Sequence, residues 1–358
     1  MDSPAEIDPP TYARDRDIFH DKEGRVYVAL GHIQPQNRFL SFLKYVPDPL
    51  GRWKAGGTKY RRLFFGGSES VVRGMRSVPT EYLRKDTHFR TTLAEVPHRE
   101  VTRYFSPEKR LQEIIDKGPS DKLEADALKM AETLHETLDI SFDDLGVAGS
   151  ILWKAHSTNQ SDVNMNVYGL DASWRLEKSY FEMARNNDHI KMRQINEWAM
   201  AMSRLFSKIP DLTPSDVRLL FARRKLLHCY DRPIGIMPVL LPDEYPIRHG
   251  SESYHAKTSM PIRVVMEIKD DTYGLFSPSI YIAESESIPL TKDIVVDRIM
   301  IYEGTFRGLL RTGDIVEVCG VLQLVEPSIR GDKPFYQMLV GTKDYERKEY
   351  VKIVKASF

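Results

Sequence analysis

Gly146-Val147-Ala148-Gly149-Ser150, then eleven intervening residues, then Asp162-Val163-Asn164-Met165-Asn166-Val167-Tyr168-Gly169: no other segment of the chain constrains its architecture as tightly. In the second half, Asp162, Asn164 and Asn166 alternate with Val163, Met165 and Val167, the period of two expected of a half-buried strand with its polar side chains on one face. In the first half, Gly149 opens backbone geometry closed to other residues. Ser150 then caps a predicted helix over about 151–155, whose free N–H groups could meet a phosphate. Lys154 and His156 follow at once, placed to approach that phosphate.

A glycine-serine turn followed by a carboxylate strand resembles the hallmark of the DNA polymerase β nucleotidyltransferase superfamily, hG[GS] then Dh[DE]h. The resemblance implies a fold in which two acids on the strand and a third on a neighbouring strand bind divalent metals that orient a triphosphate. In this chain Asp162 matches the first acid, and Asn164 stands at the second. The candidate third strand, Arg232 to Leu241 with Pro233-Ile234-Gly235-Ile236-Met237-Pro238, is similar to the hDhhP stretch of tRNA-terminus-adding enzymes, with Gly235 at the acid's place. The implied catalytic residues are therefore Asp162 and a degenerate Asn164, the metal ligand is Asp162, and the nucleotide-binding residues are Gly149, Ser150 and Lys154. Mg²⁺ is the implied cofactor of an active enzyme, with none otherwise. Mg²⁺ favours anionic oxygen, so an amide at 164 weakens the site. The opening of the chain, Arg14-Asp15-Arg16-Asp17, Glu23-Gly24 and Gly31-His32-Ile33-Gln34-Pro35, resembles that of an archaeal group of predicted nucleotidyltransferases. The favoured reading of the charges at 14–17 is that they pair with one another at a domain seam.

Around this centre the pattern divides the chain into an α+β, multidomain arrangement. Residues 1–106 read as an N-terminal β-rich domain, with aromatic and β-branched runs at 25–30, 38–45 and 60–65. Residues 107–245 read as the polymerase β-like α/β core. Leu111, Ile114 and Ile115, then Leu123, Ala127, Met130, Leu134 and Leu138, recur at helical spacing over 107–117 and 120–138. Further helices are expected at 171–186, 189–208 and from Thr213 to about Leu227. Residues 246–358 read as a C-terminal OB-like small β barrel with strands at 262–268, 279–283, 294–302, 314–325 and 336–340.

The 358 residues carry 51 basic and 51 acidic side chains, so net charge gives no global argument for a polyanionic partner. The local distribution is uneven. Residues 51–110 hold a surplus of eight basic residues, whereas 251–350 carry four more acidic than basic ones. In the basic region Arg52, Lys54, Lys59, Arg61 and Arg62 interleave with Trp53, Tyr60, Phe64 and Phe65, a composition that could pair with phosphates while rings stack on bases. The alternative is a solvated face above a core that takes the rings. Arg223, Arg224 and Lys225 form a second basic run, suited to a triphosphate or a nucleic-acid backbone, or to the C-terminal dipole of their own helix. Two cysteines, Cys229 and Cys319, exclude a disulfide framework. No apolar run reaches the length of a membrane span, and the first residues lack an export signal, so a cytoplasmic protein without membrane contact is expected. Walker, zincin and serine-hydrolase motifs are absent.

Three functions follow as expectations. One is a nucleotidyltransferase-fold pseudoenzyme, weakened or inactive, that binds RNA, DNA or a nucleoprotein partner. Another is an active Mg-dependent enzyme transferring NMP to a nucleic-acid or protein acceptor. The third is a structural subunit of a larger complex.

Overall fold

The computed structural model describes residues 5–64, 67–159, 161–285, 294–329, 331–342, 345 and 347–357. It is a mixed α+β molecule in which, among the described residues, three sheets follow one another along the chain. The first is antiparallel and runs Glu6–Ile7, Val101–Phe105, Ile18–Asp21, Val26–Ala29, Arg38–Pro47, Thr58–Arg62, Trp53–Ala55, with Leu83–Lys85 and Thr92–Pro97 attached beside Arg38–Pro47. Phe19 stacks between Tyr27 and Tyr104 in its core, with Phe39 tilted against Phe19 and Tyr104, which is why this region is so rich in aromatic residues. The helix Gly67–Met75 lies where only strands and loops are expected, because Gly67, Ser68 and Gly74 disguise its periodicity. Phe65, one of the rings of the basic region, falls outside the described residues.

The second sheet has the order Leu145–Val147, Val163–Tyr168, Arg232–Val239, Leu227–Cys229, Ile190–Met192. Val163–Tyr168 runs parallel to Arg232–Val239 and antiparallel to Leu145–Val147. Three helices, Pro107–Lys117, Lys122–Leu138 and Leu170–Asn186, pack against it. Pro107–Lys117 begins with proline in its first turn and a Ser106 cap that accepts from Lys109 N. Lys122–Leu138 begins at Asp121, whose carboxylate accepts from the N–H groups of Leu123 and Glu124, satisfying two orphan donors. Leu123, Ala127, Met130 and Leu134 then reach the core at helical spacing, as the pattern requires. The helix expected over 189–208 is broken instead into the strand Ile190–Met192, a 3₁₀ turn Ile195–Trp198 and the helix Ala199–Lys208.

The third sheet closes on itself. Ile262–Tyr273 pairs with Ser279–Ser285, which pairs with Val296–Ile301; that strand runs parallel to Phe335–Val340, which pairs with Ile315–Pro327 and so returns to Ile262–Tyr273. Glu252–Ala256 and Tyr350–Lys355, two strands absent from the expected set, flank Ile315–Pro327. The helices Ala199–Lys208 and Pro214–Ala222 belong to this sheet's core rather than to the second sheet's. Leu205, Leu220 and Phe221 pack among Val264, Ile299 and Val316.

Candidate functional site

The turn at 149–150 and the strand at 163–168 come together. Ala148 donates its N–H to Asn164 O at 2.8 Å, and Gly149 takes φ +63°, the left-handed region glycine occupies without a Cβ penalty. A methyl group on Gly149 would lie 3.0 Å from Asn164 Nδ2. Across the parallel ladder Asn164 is paired in register with Gly235, where a methyl group would lie 2.9 Å from Asn164 Oδ1. The Asn164 amide is thus held between two glycine backbones. Asp162 precedes the strand and is exposed. Among the described residues no group of three or more His, Cys, Asp or Glu side chains is placed to hold a metal ion. The donors at the three hallmark positions are one carboxylate, one amide and none, a set that does not fit the anionic oxygen Mg²⁺ favours.

The helix after the turn differs from expectation. It is a single turn, Gly149–Leu152, its cap position is Ala148, and Ser150 lies inside it without acting as a side-chain cap. The following residues turn away from the sheet. Leu152, Trp153 and Ala155 enter the core of the first sheet, where Trp153 meets Tyr60 and His20 edge-on. Lys154, expected near a phosphate, pairs with Glu113 at 2.9 Å. Burial alone would raise the Glu113 carboxyl, but hydrogen bonds from Lys154 and Lys117 and the charge of Arg110 hold it at about 2. Arg110 is buried. It joins Glu113 and Glu124 and donates to Ile151 O at the end of the short helix, while His156 lies 2.8 Å from Asp121. These groups neutralise one another and position the turn. Farther along the strand, Asn166 is fully buried and donates to Tyr168 Oη at 3.0 Å, and the Arg14 guanidinium lies 4.1 Å from the centre of the Tyr168 ring. Arg14 also pairs with Glu108, so the charge run at 14–17 works at the seam between the first two sheets.

The basic region of the first sheet divides by face. In the hairpin of Trp53–Ala55 and Thr58–Arg62, Tyr60 is buried against Trp153, and Trp53 is half-buried and packs toward Tyr45. Arg52, Lys54, Lys59 and Arg61 are exposed. Lys54 and Lys59 stand directly opposite each other in the ladder, and Arg61 pairs with Asp48 at 2.7 Å. Arg62 is half-buried and donates Nε to Phe64 O.

The second basic run is a strut. Arg223 forks onto Asp314, with Nη2 2.9 Å from Oδ1, and donates to Leu309 O. Arg224 bonds Thr305 O and lies over the Phe221 ring, and Lys225 reaches the Glu177 carboxylate at 2.8 Å. Arg223 and Arg224 thus fasten the end of the helix Pro214–Ala222 to the barrel, while Lys225 ties the same segment to the helix Leu170–Asn186 beside the second sheet. Their partners lie up to 91 residues distant, beyond any local pattern.

No protein-family model matches the chain, and no solved structure matches it. An uncharacterized protein of the archaeon Methanocaldococcus jannaschii is 23% identical over 354 residues, covering 95% of this chain and 98% of that protein. The likeness therefore spans all three sheets. No described helix is long and apolar enough to cross a membrane.

Proposed function

We propose that this protein is a nucleic-acid-binding member of the nucleotidyltransferase superfamily whose central fold has given up metal-dependent transfer. One observation carries the binding reading: Arg52, Lys54, Lys59 and Arg61 share the outward face of a hairpin. Like charges directly opposite in an antiparallel ladder are destabilising, and a phosphate between Lys54 and Lys59 would remove that cost. Because the rings beside them face inward, recognition goes through the backbone phosphates and is indifferent to sequence. The adjacency of the Gly149 turn, Asn164 and Gly235 supports the superfamily reading, since a glycine turn, an antiparallel strand and a parallel third strand meet where that fold would gather its acids. An amide between two glycines supports the loss of transfer. For the third sheet, the ring of five strands with its third and fifth parallel supports an OB-type barrel.

Titration of fluorescein-labelled single-stranded RNA and DNA over a salt series tests this reading. Binding should weaken linearly on a log–log plot with a slope of roughly −2 to −3, about 0.7 per phosphate contact on a single strand. Lys54→Thr should lower the slope by somewhat less than one. Binding that ignores both salt and this substitution would overturn the assignment.

A further inference from the structure

Between the first and third sheets lies a cavity of about 780 Å³, within the range of small-molecule sites. Most of its wall is apolar. Leu40, Phe42 and Val71 contribute from the first sheet and its helix, and Met300, Val321 and Leu339 from the barrel. Arg16, Arg224 and Arg307 also line it. Their counter-ions are few. Asp15 is one carboxylate between two guanidinium groups, its Oδ2 lying 3.5 Å from Arg16 and 3.8 Å from Arg307. Glu303 is bonded to Thr305 and stands 3.8 Å from Lys208, so its charge is shared. The Nε groups of Arg16 and Arg224 have no hydrogen-bond partner among the described residues. Burial, with Arg16 and Arg224 nearby, pushes Arg307 down to about 10, and burial likewise pushes Arg224 down to about 10. Both stay charged at neutral pH. Lys44 follows Leu40 and Phe42 on the same face of their strand. It is pushed down to about 7 by burial and by the charges of Arg62 and Arg16.

Buried cations in excess of their counter-ions are costly unless something anionic answers them. We infer that this cavity binds a single-chain amphiphile whose phosphate or carboxylate head meets Arg16, Arg224 and Arg307 and whose alkyl chain lies along the apolar wall. Guanidinium groups suit such a head because they can pair with it bidentately. A nucleotide is the competing occupant, since Thr91, Thr92, Thr258 and the unpartnered Tyr302 hydroxyl also line the cavity, and ATP is therefore included in the test.

The test is displacement of 1-anilinonaphthalene-8-sulfonate, followed by fluorescence, with the full chain. Dodecyl phosphate and laurate should each displace the dye, and the stronger of the two identifies the head group. Dodecanol should be at least tenfold weaker, and inorganic phosphate should have no effect. Arg307→Met should abolish the preference for the anions over dodecanol. Val71→Trp, which fills the cavity from the Gly67–Met75 helix, should remove dye and amphiphile binding together while far-ultraviolet circular dichroism stays unchanged. Equal displacement by dodecanol and dodecyl phosphate, displacement by ATP but by neither amphiphile, or unaltered binding in folded Val71→Trp would each overturn the inference.

Discussion

Asn164 is the residue on which the chemistry turns. Its amide occupies the space between Gly149 and Gly235, so placing acids at 164 and 235 would set two carboxylates beside each other and near Asp162. The double variant Asn164→Asp, Gly235→Asp should be less stable than the parent in chelator, through repulsion and because the new Cβ at 235 crowds residue 164. It should then regain stability in Mn²⁺, by about 2.7 kcal/mol at a hundredfold excess over the dissociation constant. Differential scanning fluorimetry with and without Mn²⁺ reads this out, and a parent protein shifted by Mn²⁺ as strongly as the variant would show that the parent already holds metal. At this scale the sequence was informative because the signal is local. Alternation at 162–168 places Asn164 on a defined face, and the short apolar run around Gly235 sets a second strand whose pairing the ladder supplies. The environment of Lys154 was not legible, since Glu113 reaches it from a helix 41 residues earlier.

Among the elements, the exposed hairpin joins stability to binding. Lys54 opposes Lys59 across the ladder, and Lys59→Glu converts a like-charge pair into an opposite-charge one, which should raise stability by roughly 0.2–1 kcal/mol. The same change removes a phosphate partner and should weaken RNA binding at low salt. Urea midpoints and a binding titration on one preparation check both, and a variant that is more stable yet binds undiminished would separate the hairpin from the nucleic-acid site. Helices with a clean apolar period, Pro107–Lys117 and Lys122–Leu138, stand close to where the spacing puts them. The segment at 189–208 misleads because Ile190, Met192, Ile195, Trp198 and Leu205 satisfy a helical period in part, while tertiary pairing of Ile190–Met192 with Leu227–Cys229 overrides it. The strands Glu252–Ala256 and Tyr350–Lys355 were hidden for another reason. Each is a short flank of the long Ile315–Pro327 strand, and His255, Lys352 and Lys355 dilute their hydrophobic pattern.

Across the whole molecule the three sheets are joined by ion pairs whose partners are far apart in sequence: Arg14 with Glu108, Asp15 with Arg307, and Glu177 with Arg311. Another pair, Arg223 with Asp314, fastens the helix Pro214–Ala222 to the barrel and is the most demanding, because the Asp314 side chain is fully buried and also accepts from Arg311 N and from Ser357 N and Oγ. Burial would raise its carboxyl, yet the hydrogen bond from Arg223 and the backbone donors of Ser357 and Arg311 hold it below the usual aspartate value. A folded pKa lower than the unfolded one contributes stability that is present above the unfolded pKa and lost as pH falls through the folded one. Arg223→Met removes the guanidinium and leaves the carboxylate in place, a change that should cost about 3–5 kcal/mol at pH 7. With burial then dominant, the Asp314 carboxyl rises above its unfolded value, takes up a proton as pH falls, and relieves the strain in the variant, whereas the parent loses its own contribution only at still lower pH, below its unfolded value. The gap between parent and variant should therefore be wide at pH 7 and narrow toward pH 4. Urea denaturation of both proteins at the two pH values measures it. A gap of the same size at each pH would mean that Arg223 acts through the packing of its alkyl stem against the barrel, and that charge is not what holds the helix Pro214–Ala222 in place.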